Sequence, residues 1–393
     1  MSLTPSVQLA LRWLAQSDVR HQDGIAAGGV NQGYNWQERS YPFVYSEITG
    51  YAVSMFACAY RWTNSMQYLD YAKEAAAFLI GVQVHDQQSA LYGALPQGRS
   101  LPALEIMPQY YSFDVAMCIQ GMLDLHFTQP DSQVEQSAQI MGHWLIERMQ
   151  QENGAFRAMY DAENDTWEHM GDQFFDDFGC LHGKHAIGLV KLFEATGDER
   201  FASAARRVCD WVLTLQDNDG AFRASERQPQ IISHPHCYTL EGLLYAHYVL
   251  RDERYFLAAQ RGGEWLASHA QNRDGSINIA YKQDWVKMGR RITERFLPRK
   301  VTDATSQALR LWLLLYYQTH DERFLRAARR AGEWLRGMQS SDPTDPNALG
   351  GFYFWPGHPI MFTWATMFAT HALYALDNVE RPDGYRQLIT ELF

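Results

Sequence analysis

Residues 201–224 read FASAARRVCDWVLTLQDNDGAFRA, and the architecture of the whole chain can be worked out from this stretch. Its apolar residues recur every three or four positions with charged residues between them, which is typical of an amphipathic helix. Trp211 stands ten residues after the opening phenylalanine, and Gln216 follows five residues later. Asp219-Gly220 is a tight-turn dipeptide. The stretch therefore predicts a helix that ends in a hairpin-like turn.

The same pattern recurs along the chain. The opening aromatic residue is found at Tyr68, Phe201, Tyr255 and Phe324. The second aromatic residue and its glutamine recur as Phe78 with Gln83, Trp144 with Gln150, Trp211 with Gln216, Trp265 with Gln271, Trp334 with Gln339 and, more loosely, Trp13 with Gln16. The turn recurs at Asn153-Gly154, Asp274-Gly275 and Asp23-Gly24. Because stacked copies of one unit share a core, the repeat outweighs the two or three domains that 393 residues would suggest.

Between the amphipathic helices lie six stretches with few charges and many small, aromatic and long apolar residues. They cover approximately residues 46–62, 113–127, 177–195, 238–250, 303–319 and 363–376. A helix that is apolar nearly all round is a buried helix. The alternation of outer and inner helices predicts an all-α (α/α)6 toroid of six helical hairpins with short β-hairpin loops, whose inner helices line a central cavity. We expect a single domain over residues 1–393.

Composition excludes several classes of function. The formal net charge is −11, from 34 Lys+Arg and 45 Asp+Glu, so we expect no nucleic-acid partner and no membrane partner. No apolar run reaches the roughly 18 residues of a spanning helix, and the N-terminal stretch is amphipathic, unlike a signal peptide. Five cysteines without a CxxC pair argue against a disulfide framework and favour a reducing compartment, for which the cytoplasm is the default. The oligomeric state is left open.

The alternating pattern resembles the six-hairpin glycosidase superfamily, which includes glucoamylase-like and endomannanase-like hydrolases, unsaturated glucuronyl hydrolases and N-acylglucosamine 2-epimerases. The resemblance covers the whole chain and is one of architecture, since no diagnostic motif carries it. It implies a carbohydrate substrate bound in the central cavity, and it constrains the fold better than the reaction. We expect no cofactor and no metal.

Ionisable residues stand at matching places where the inner helices begin, at the expected mouth of the cavity. They are Glu47, Asp114, Asp177, His236 and Asp303, each 29–34 residues before the aromatic residue of the next outer helix. Acids in a first turn also cap helices, and this explanation stays open for Asp114 and Asp303. Asp176-Asp177 resembles the Asp-Asp pair of endomannanase-like hydrolases, in which one acid positions the sugar and the other transfers a proton.

Histidines form a second candidate group. His182 and His185 are three residues apart and share a helix face, while His234 and His236 precede the next inner helix, which carries Glu241. Such a group suits proton transfer near neutral pH, as the epimerase branch of the superfamily uses histidines. Two alternatives stay open: histidines satisfied within the core, and a zinc site with Cys180 and Cys237, as in lanthionine-cyclase-like toroids, although the motifs of those proteins do not match here.

Aromatic and basic residues outside the helices supply further candidates for sugar binding. Trp36 and Trp355 suit stacking on sugar rings, although such residues also fill loop cores. The basic run at residues 282–300 suits a carboxylated or phosphorylated substrate, although a solvated loop is the simpler explanation.

The resemblance and the acids together favour a glycoside hydrolase acting on an oligosaccharide, and one that contains uronic acid is among the candidates. We expect Glu47 and Asp177 to be the catalytic pair, with Asp303 as the substitute. The substrate-binding candidates are Tyr45, Asp114, Asp176, His182, His185, His236, Glu241, Trp364 and Trp36. The alternatives are a sugar epimerase or isomerase that uses His182 or His185 with His236, a polysaccharide lyase, and a carbohydrate-binding toroid without catalysis.

Overall fold

The computed structural model describes residues 3–167, 179–227, 229–281 and 299–393, and these ranges contain 13 α-helices. The outer helices are α1 (Pro5–Gln16), α3 (Met66–Val82), α5 (Ser132–Trp144), α7 (Glu199–Leu213), α9 (Glu253–Trp265) and α11 (Glu322–Arg336). The inner helices are α2 (Ser46–Thr63), α4 (Ser112–Thr128), α6 (His185–Thr196), α8 (Ser233–Leu250), α10 (Thr302–Thr319) and α12 (Thr363–Asp377). A last helix, α13, covers Gly384–Thr390.

The inner helices form a closed ring. Each contacts the next in the order α2, α4, α6, α8, α10 and α12, and α12 contacts α2. Glycines allow the closest approaches, since a Cβ atom on Gly121 would lie 2.1 Å from the Gly50 carbonyl oxygen. A Cβ atom on Gly242 would lie 2.0 Å from that of Gly183. The predicted (α/α)6 toroid is confirmed.

The outer helices begin at repeated caps. Asp131, Asp198, Asp252 and Asp321 precede α5, α7, α9 and α11, and each carboxylate accepts a backbone N–H from the residue two positions later. This is the ordinary N-cap arrangement, and it fixes the short turn between each inner helix and the following outer helix. Helices α5 and α9 each end in a π-helical turn, over Leu145–Met149 and Leu266–Ala270.

Eleven short strands lie in the described loops. They are β1 (Gly33–Asn35), β2 (Phe43–Tyr45), β3 (Gly98–Ser100), β4 (Ile106–Met107), β5 (Gln109–Tyr111), β6 (Met159–Asp161), β7 (Ile231–Ile232), β8 (Ile277–Asn278), β9 (Ala280–Tyr281), β10 (Lys300–Val301) and β11 (Ile360–Phe362). All pair antiparallel, as β1–β11, β2–β3–β4, β5–β6, β7–β9 and β8–β10. Strands β2, β5, β7, β10 and β11 run directly into inner helices, so the sheets surround one end of the ring. Pairing of β1 with β11 joins the first unit to the last.

The repeated glutamines connect neighbouring units. Gln216 Nε2 donates to the backbone oxygens of Gly220, at 2.9 Å, and of Ala258 on the next outer helix, at 2.8 Å. Four other glutamines form the same pair of bonds, one to their own turn and one to the next outer element: Gln83, Gln150, Gln271 and Gln339. Gln16 is the last residue of α1, and neither of these two bonds is found for it among the described hydrogen bonds.

The turn glycines make matching contacts. Gly154 has a φ angle of 95°, and a Cβ atom there would lie 2.3 Å from the backbone oxygen of Arg207 on the next outer helix. Gly93, Gly220, Gly275 and Gly350 share the left-handed φ and a similar approach. In the first unit this position belongs to Gly28 and not to Gly24, since a Cβ atom on Gly24 would meet nothing within 4 Å.

Two inner helices begin elsewhere than expected. Helix α6 starts at His185, after a 3-10 turn over Cys180–Lys184, and α8 starts at Ser233, so His234 and His236 lie in its first turn and do not precede it. All five cysteines are buried and unpaired. In the described ranges, no helix combines the length and the apolar character that crossing a membrane requires.

The last residues lie at the end of the ring away from the strands. Trp62, near the end of α2, donates its indole N–H to Glu391 at 2.9 Å. Gln120 donates to the backbone oxygen of Leu392 at 2.7 Å. The ring of Phe393 is fully buried and packs 6.0 Å from that of Phe368. This segment covers the far end of the cavity.

Candidate active site

The site lies where the inner helices begin. The N-cap positions of α2, α4, α8, α10 and α12 are occupied by Tyr45, Tyr111, Ile232, Val301 and Phe362, and none of these side chains makes a capping bond. The partial positive charge of these helix ends therefore faces the cavity, where it favours carboxylates. Glu47, Asp114 and Asp303 all lie in first turns.

Glu47 and Asp114 form a pair of carboxyl groups joined by one hydroxyl. The hydroxyl of Tyr45 donates to Asp114 Oδ1 at 3.3 Å, and it also hydrogen-bonds to Glu47. Burial raises the pKa of Glu47 to about 7, against the lowering effects of Tyr45 and Lys184. Burial and the charge of Glu47 raise the pKa of Asp114 well above its usual value. Two neighbouring buried carboxyl groups repel each other when both are charged, so Glu47 and Asp114 are expected to share one proton.

Asp303 lies in a second polar group on the neighbouring wall. Its Oδ1 accepts the Ala304 amide at 2.7 Å, as a first-turn acid does, and its Oδ2 accepts the Trp364 indole N–H at 3.3 Å. His234 Nδ1 lies 3.5 Å from the same oxygen and donates to Gln307 Oε1 at 2.5 Å. Burial lowers the pKa of His234, against the charge of Asp303. This arrangement fixes the ring and leaves Nε2 as the acceptor.

An aromatic floor separates these groups from the core. The hydroxyl of Tyr51 donates to that of Tyr238 at 2.9 Å, and both rings are buried. Glu47 and Asp303 both raise the pKa of the Tyr238 hydroxyl, after the larger effect of burial, so both carboxyl groups lie near this ring. The ammonium of Lys184 lies 4.2 Å from the Tyr238 centroid and 5.1 Å from that of Phe368, in cation–π contact.

A fully buried ion cluster lies beneath the floor. Glu241 accepts from Lys184 at 2.8 Å and from Arg310 at 2.6 Å, and all three side chains are inaccessible. Burial lowers the pKa of Lys184 to about 8. Although burial alone would raise it, the two cations hold the pKa of Glu241 below its usual value. Gln307 joins the cluster to His234, because its Nε2 lies 3.4 Å from Glu241. Both oxygens of Glu241 are thus bonded within the buried cluster, and its side chain is not exposed to the cavity.

Three predicted histidines lie within the core. His182 and His185 are buried with ring centroids 4.8 Å apart, and His185 stacks on Phe156 at 4.5 Å. Burial lowers the pKa of His182 to about 3 and that of His185 well below its usual value. His236 accepts the Phe222 amide at 3.1 Å through Nδ1 and is fully buried. The structure does not bring these rings together with His234 at the cavity.

Aromatic residues extend from the cavity to its mouth. Trp364 stacks on Phe362 with centroids 4.2 Å apart, and Phe362 lies 4.9 Å from Phe354. Trp36 is half-buried at the mouth, where its indole N–H donates to the His358 backbone oxygen at 2.8 Å. Asp176, Asp177 and most of the basic run at residues 282–300 lie outside the described residues.

The potential metal ligands do not form a free site. In the described ranges, one group of three such residues, Cys58, His371 and Glu391, has ligand atoms within 4.8 Å of one another. Arg61 donates to Cys58 Sγ at 3.1 Å and to Glu391 at 3.0 Å, so a guanidinium already occupies the place of a cation. No such group among the described residues contains Cys180, the zinc ligand considered above.

Sequence reasoning missed several residues of this site, including Lys184, Gln307, Arg310, Tyr51 and Tyr238, and it placed His234 in the histidine group without choosing it as a site residue. A signal existed for two of them. Lys184 and Arg310 are the charges in otherwise apolar inner segments, GCLHGKHAIGLV and ATSQALRLWLLL. A long cation in a buried helix requires a buried acid as its partner, and Glu241 on α8 is the matching one.

Comparisons with known proteins give matches among solved structures. No family model and no curated protein matches the chain. The cellobiose 2-epimerase of Bacillus thermoamylovorans B4167 is similar at a TM-score of 0.74 and 14% identity, over 95% of this chain and 99% of that one. A D-mannose isomerase matches at 0.71 and 14%, over 96% and 99%. The unsaturated glucuronyl hydrolase of Bacillus sp. GL1 matches at 0.68 and 14%, over 96% of both chains. At these identities the likeness shows the shared six-hairpin toroid fold.

Proposed function

We propose that this protein is a sugar-processing enzyme and that it hydrolyses a glycosidic bond of an oligosaccharide. The observation that carries the proposal is the pair of carboxyl groups, Glu47 and Asp114, held on either side of the Tyr45 hydroxyl at the cavity. Glycoside hydrolysis needs a carboxylic acid that keeps its proton near neutral pH, and a pKa of about 7 for Glu47 meets that need. The fold neighbours act on sugars according to their names, which supports the substrate class.

Glu47 is the proposed general acid, which protonates the leaving oxygen. Asp303 is the described candidate for the second carboxylate, since it lies in the first turn of α10, as Glu47 lies in that of α2, and two N–H groups donate to it. Asp177 remains a proposal for the same role, from its place in the repeat. The Tyr45 hydroxyl links Glu47 to Asp114, and Trp364 offers an apolar face beside Asp303 on which a sugar ring can stack.

A second candidate reaction is epimerisation or isomerisation, because His234 lies beside Asp303 with Nε2 unbonded in the described part of the chain. There His234 would remove a proton from a carbon next to a carbonyl group, and Glu47 would return one. The buried positions of His182, His185 and His236 disfavour the histidine pairs expected from the sequence.

The test is turnover of a panel of neutral and uronate-containing oligosaccharides, followed by the appearance of reducing ends. We compare wild type with Glu47→Gln and Asp303→Asn, and use Glu199→Gln, an exposed first-turn acid of α7, as the matched control. Loss of a general acid costs about 10²–10⁴-fold in rate. Full activity of Glu47→Gln would refute its role. Solvent deuterium entering an unhydrolysed sugar, lost in His234→Asn, would instead establish the second reaction, and binding without either would establish a carbohydrate-binding toroid.

A further inference from the structure

A separate cavity of about 640 Å³ lies at the mouth of the ring. Its walls are Arg299 and Lys300 on one side and the turn from Trp355 to Pro359 on the other. The volume falls in the range of small-molecule sites. The proposed reaction does not use this cavity, because Glu47 and Asp303 lie deeper, where the inner helices begin.

Its two cations differ in what they contact. Lys300 forms an ion pair with Asp274, so its charge is already balanced. The guanidinium of Arg299 lies 4.6 Å from the centroid of the Trp355 ring, and no carboxylate among the described residues pairs with it. An arginine that is stacked on an indole keeps its edge donors available, and a planar guanidinium binds a carboxylate through two parallel hydrogen bonds.

The opposite wall is held in place before any ligand binds. Trp355 packs edge to face against His358, with centroids 4.0 Å apart. His358 Nδ1 accepts the Ile360 amide at 3.0 Å, and its backbone oxygen accepts the Trp36 indole N–H. Gly357 supplies the left-handed turn, with a φ angle of 82°. The indole and the guanidinium are therefore preorganised, which lowers the cost of binding.

A chain of packed aromatic rings leads from this cavity to the proposed catalytic residues; Phe354 is buried in it, and Trp355, Phe362 and Trp364 are partly exposed. Trp355 lies 4.9 Å from Phe354, and Phe354 lies 4.9 Å from Phe362. Phe362 stacks on Trp364, whose indole N–H reaches Asp303. An oligosaccharide with one residue beside Asp303 would extend past the partly exposed rings and place a later residue beside Arg299.

We propose that Arg299 and Trp355 form a binding subsite for an acidic sugar, a hexuronate whose ring stacks on the aromatic wall while its carboxylate pairs with the guanidinium. The identity of the ligand as a sugar rests on the proposed function. The subsite makes the enzyme select oligosaccharides that carry a uronate at a position away from the bond that is cleaved.

The experiment measures binding by titration calorimetry and needs no turnover. The probes are a glucuronosyl-glucose disaccharide and cellobiose, its neutral counterpart. The variants are Arg299→Gln and, as the control, Arg326→Gln, which removes the same charge from the exposed outer face of α11. We expect Arg299→Gln to weaken binding of the acidic disaccharide about 10-fold or more, the usual effect of a charge-assisted hydrogen bond, and to leave cellobiose unchanged.

Equal loss for both probes, or no loss in Arg299→Gln, overturns the subsite even if the enzyme hydrolyses neutral oligosaccharides. Conversely, the expected loss in an enzyme that hydrolyses nothing upholds the subsite and refutes the hydrolase proposal alone. A Trp355→Leu variant gives a second reading, since it should weaken both probes by removing the stacking face, and the acidic probe more, because the indole also holds the Arg299 guanidinium.

Discussion

Replacing Gly154 by alanine should destabilise the ring far more than the same change at Gly197. Both glycines have left-handed φ angles, 95° and 71°. A left-handed alanine costs about 1–2 kcal/mol, of which about 0.4–1 kcal/mol is offset by a less flexible unfolded chain. A Cβ atom at position 197 would meet nothing within 4 Å, so the net cost there is about 1 kcal/mol.

At position 154 the Cβ atom would lie 2.3 Å from the Arg207 backbone oxygen, which cannot rotate away. Overpacking adds about 1–3 kcal/mol, and a backbone contact this short belongs at the upper limit, for a total of about 4 kcal/mol. An unfolding entropy of about 2.1 cal/mol/K per residue gives about 0.8 kcal/mol/K for this chain. The melting temperature should therefore fall by about 5 °C in Gly154→Ala and about 1 °C in Gly197→Ala.

Differential scanning calorimetry at one protein concentration measures both shifts. Because the two variants share the same chemical change and the same φ region, their difference isolates the contact between the turn and the next outer helix. Equal shifts would refute the idea that the turn glycines fasten neighbouring units together.

Three further predictions concern the site. If Glu47 donates its proton, kcat should fall as pH rises through about 7, because the acid form exists below the raised pKa and is lost above it; a pH-rate profile checks this. Lys184→Met should move that limb to higher pH, since the Lys184 charge lowers the pKa of Glu47, and an unmoved limb would contradict the coupling. Glu241→Gln should cost about 3–5 kcal/mol in the free energy of unfolding, measured with urea, by leaving Lys184 and Arg310 buried without a carboxylate; a loss below 1 kcal/mol would contradict the buried cluster.

The fold could be predicted because its signals are local and repeated. The spacing from Trp211 to Gln216 and Gly220 recurs because five glutamines make the same two bonds, one to their own turn and one to the next outer element, so several weak signals support one architecture. Extension of a single domain over the whole of residues 1–393 stays a prediction. The first turn was misplaced at Gly24 because Gly28 lacks the preceding Asn or Asp that marks the turns at Gly154, Gly220 and Gly275.

The site could be predicted only in part. Position in the repeat was enough to bring Glu47, Asp114 and Asp303 to one end of the ring. It could not tell His234 from His236, because side chains two positions apart on a helix point in different directions and only the angle of α8 in the ring decides which one reaches the cavity. Lys184 was passed over for a related reason, since its partner Glu241 is 57 residues away in the chain.

In the described part of the chain, the floor formed by Tyr51, Tyr238 and Phe368, with Phe393 behind it, closes one end of the ring. If the protein is the hydrolase proposed above, a polysaccharide could not pass through a ring that is closed at this end, so chains would enter by a terminus and the products would leave through the opening by which the substrate entered. We therefore expect the enzyme to shorten polysaccharide chains from one end and not to cut them internally. We also expect inhibition by the product, because it blocks the opening until it dissociates. Viscosity of a long polymer should then fall far more slowly than reducing ends appear.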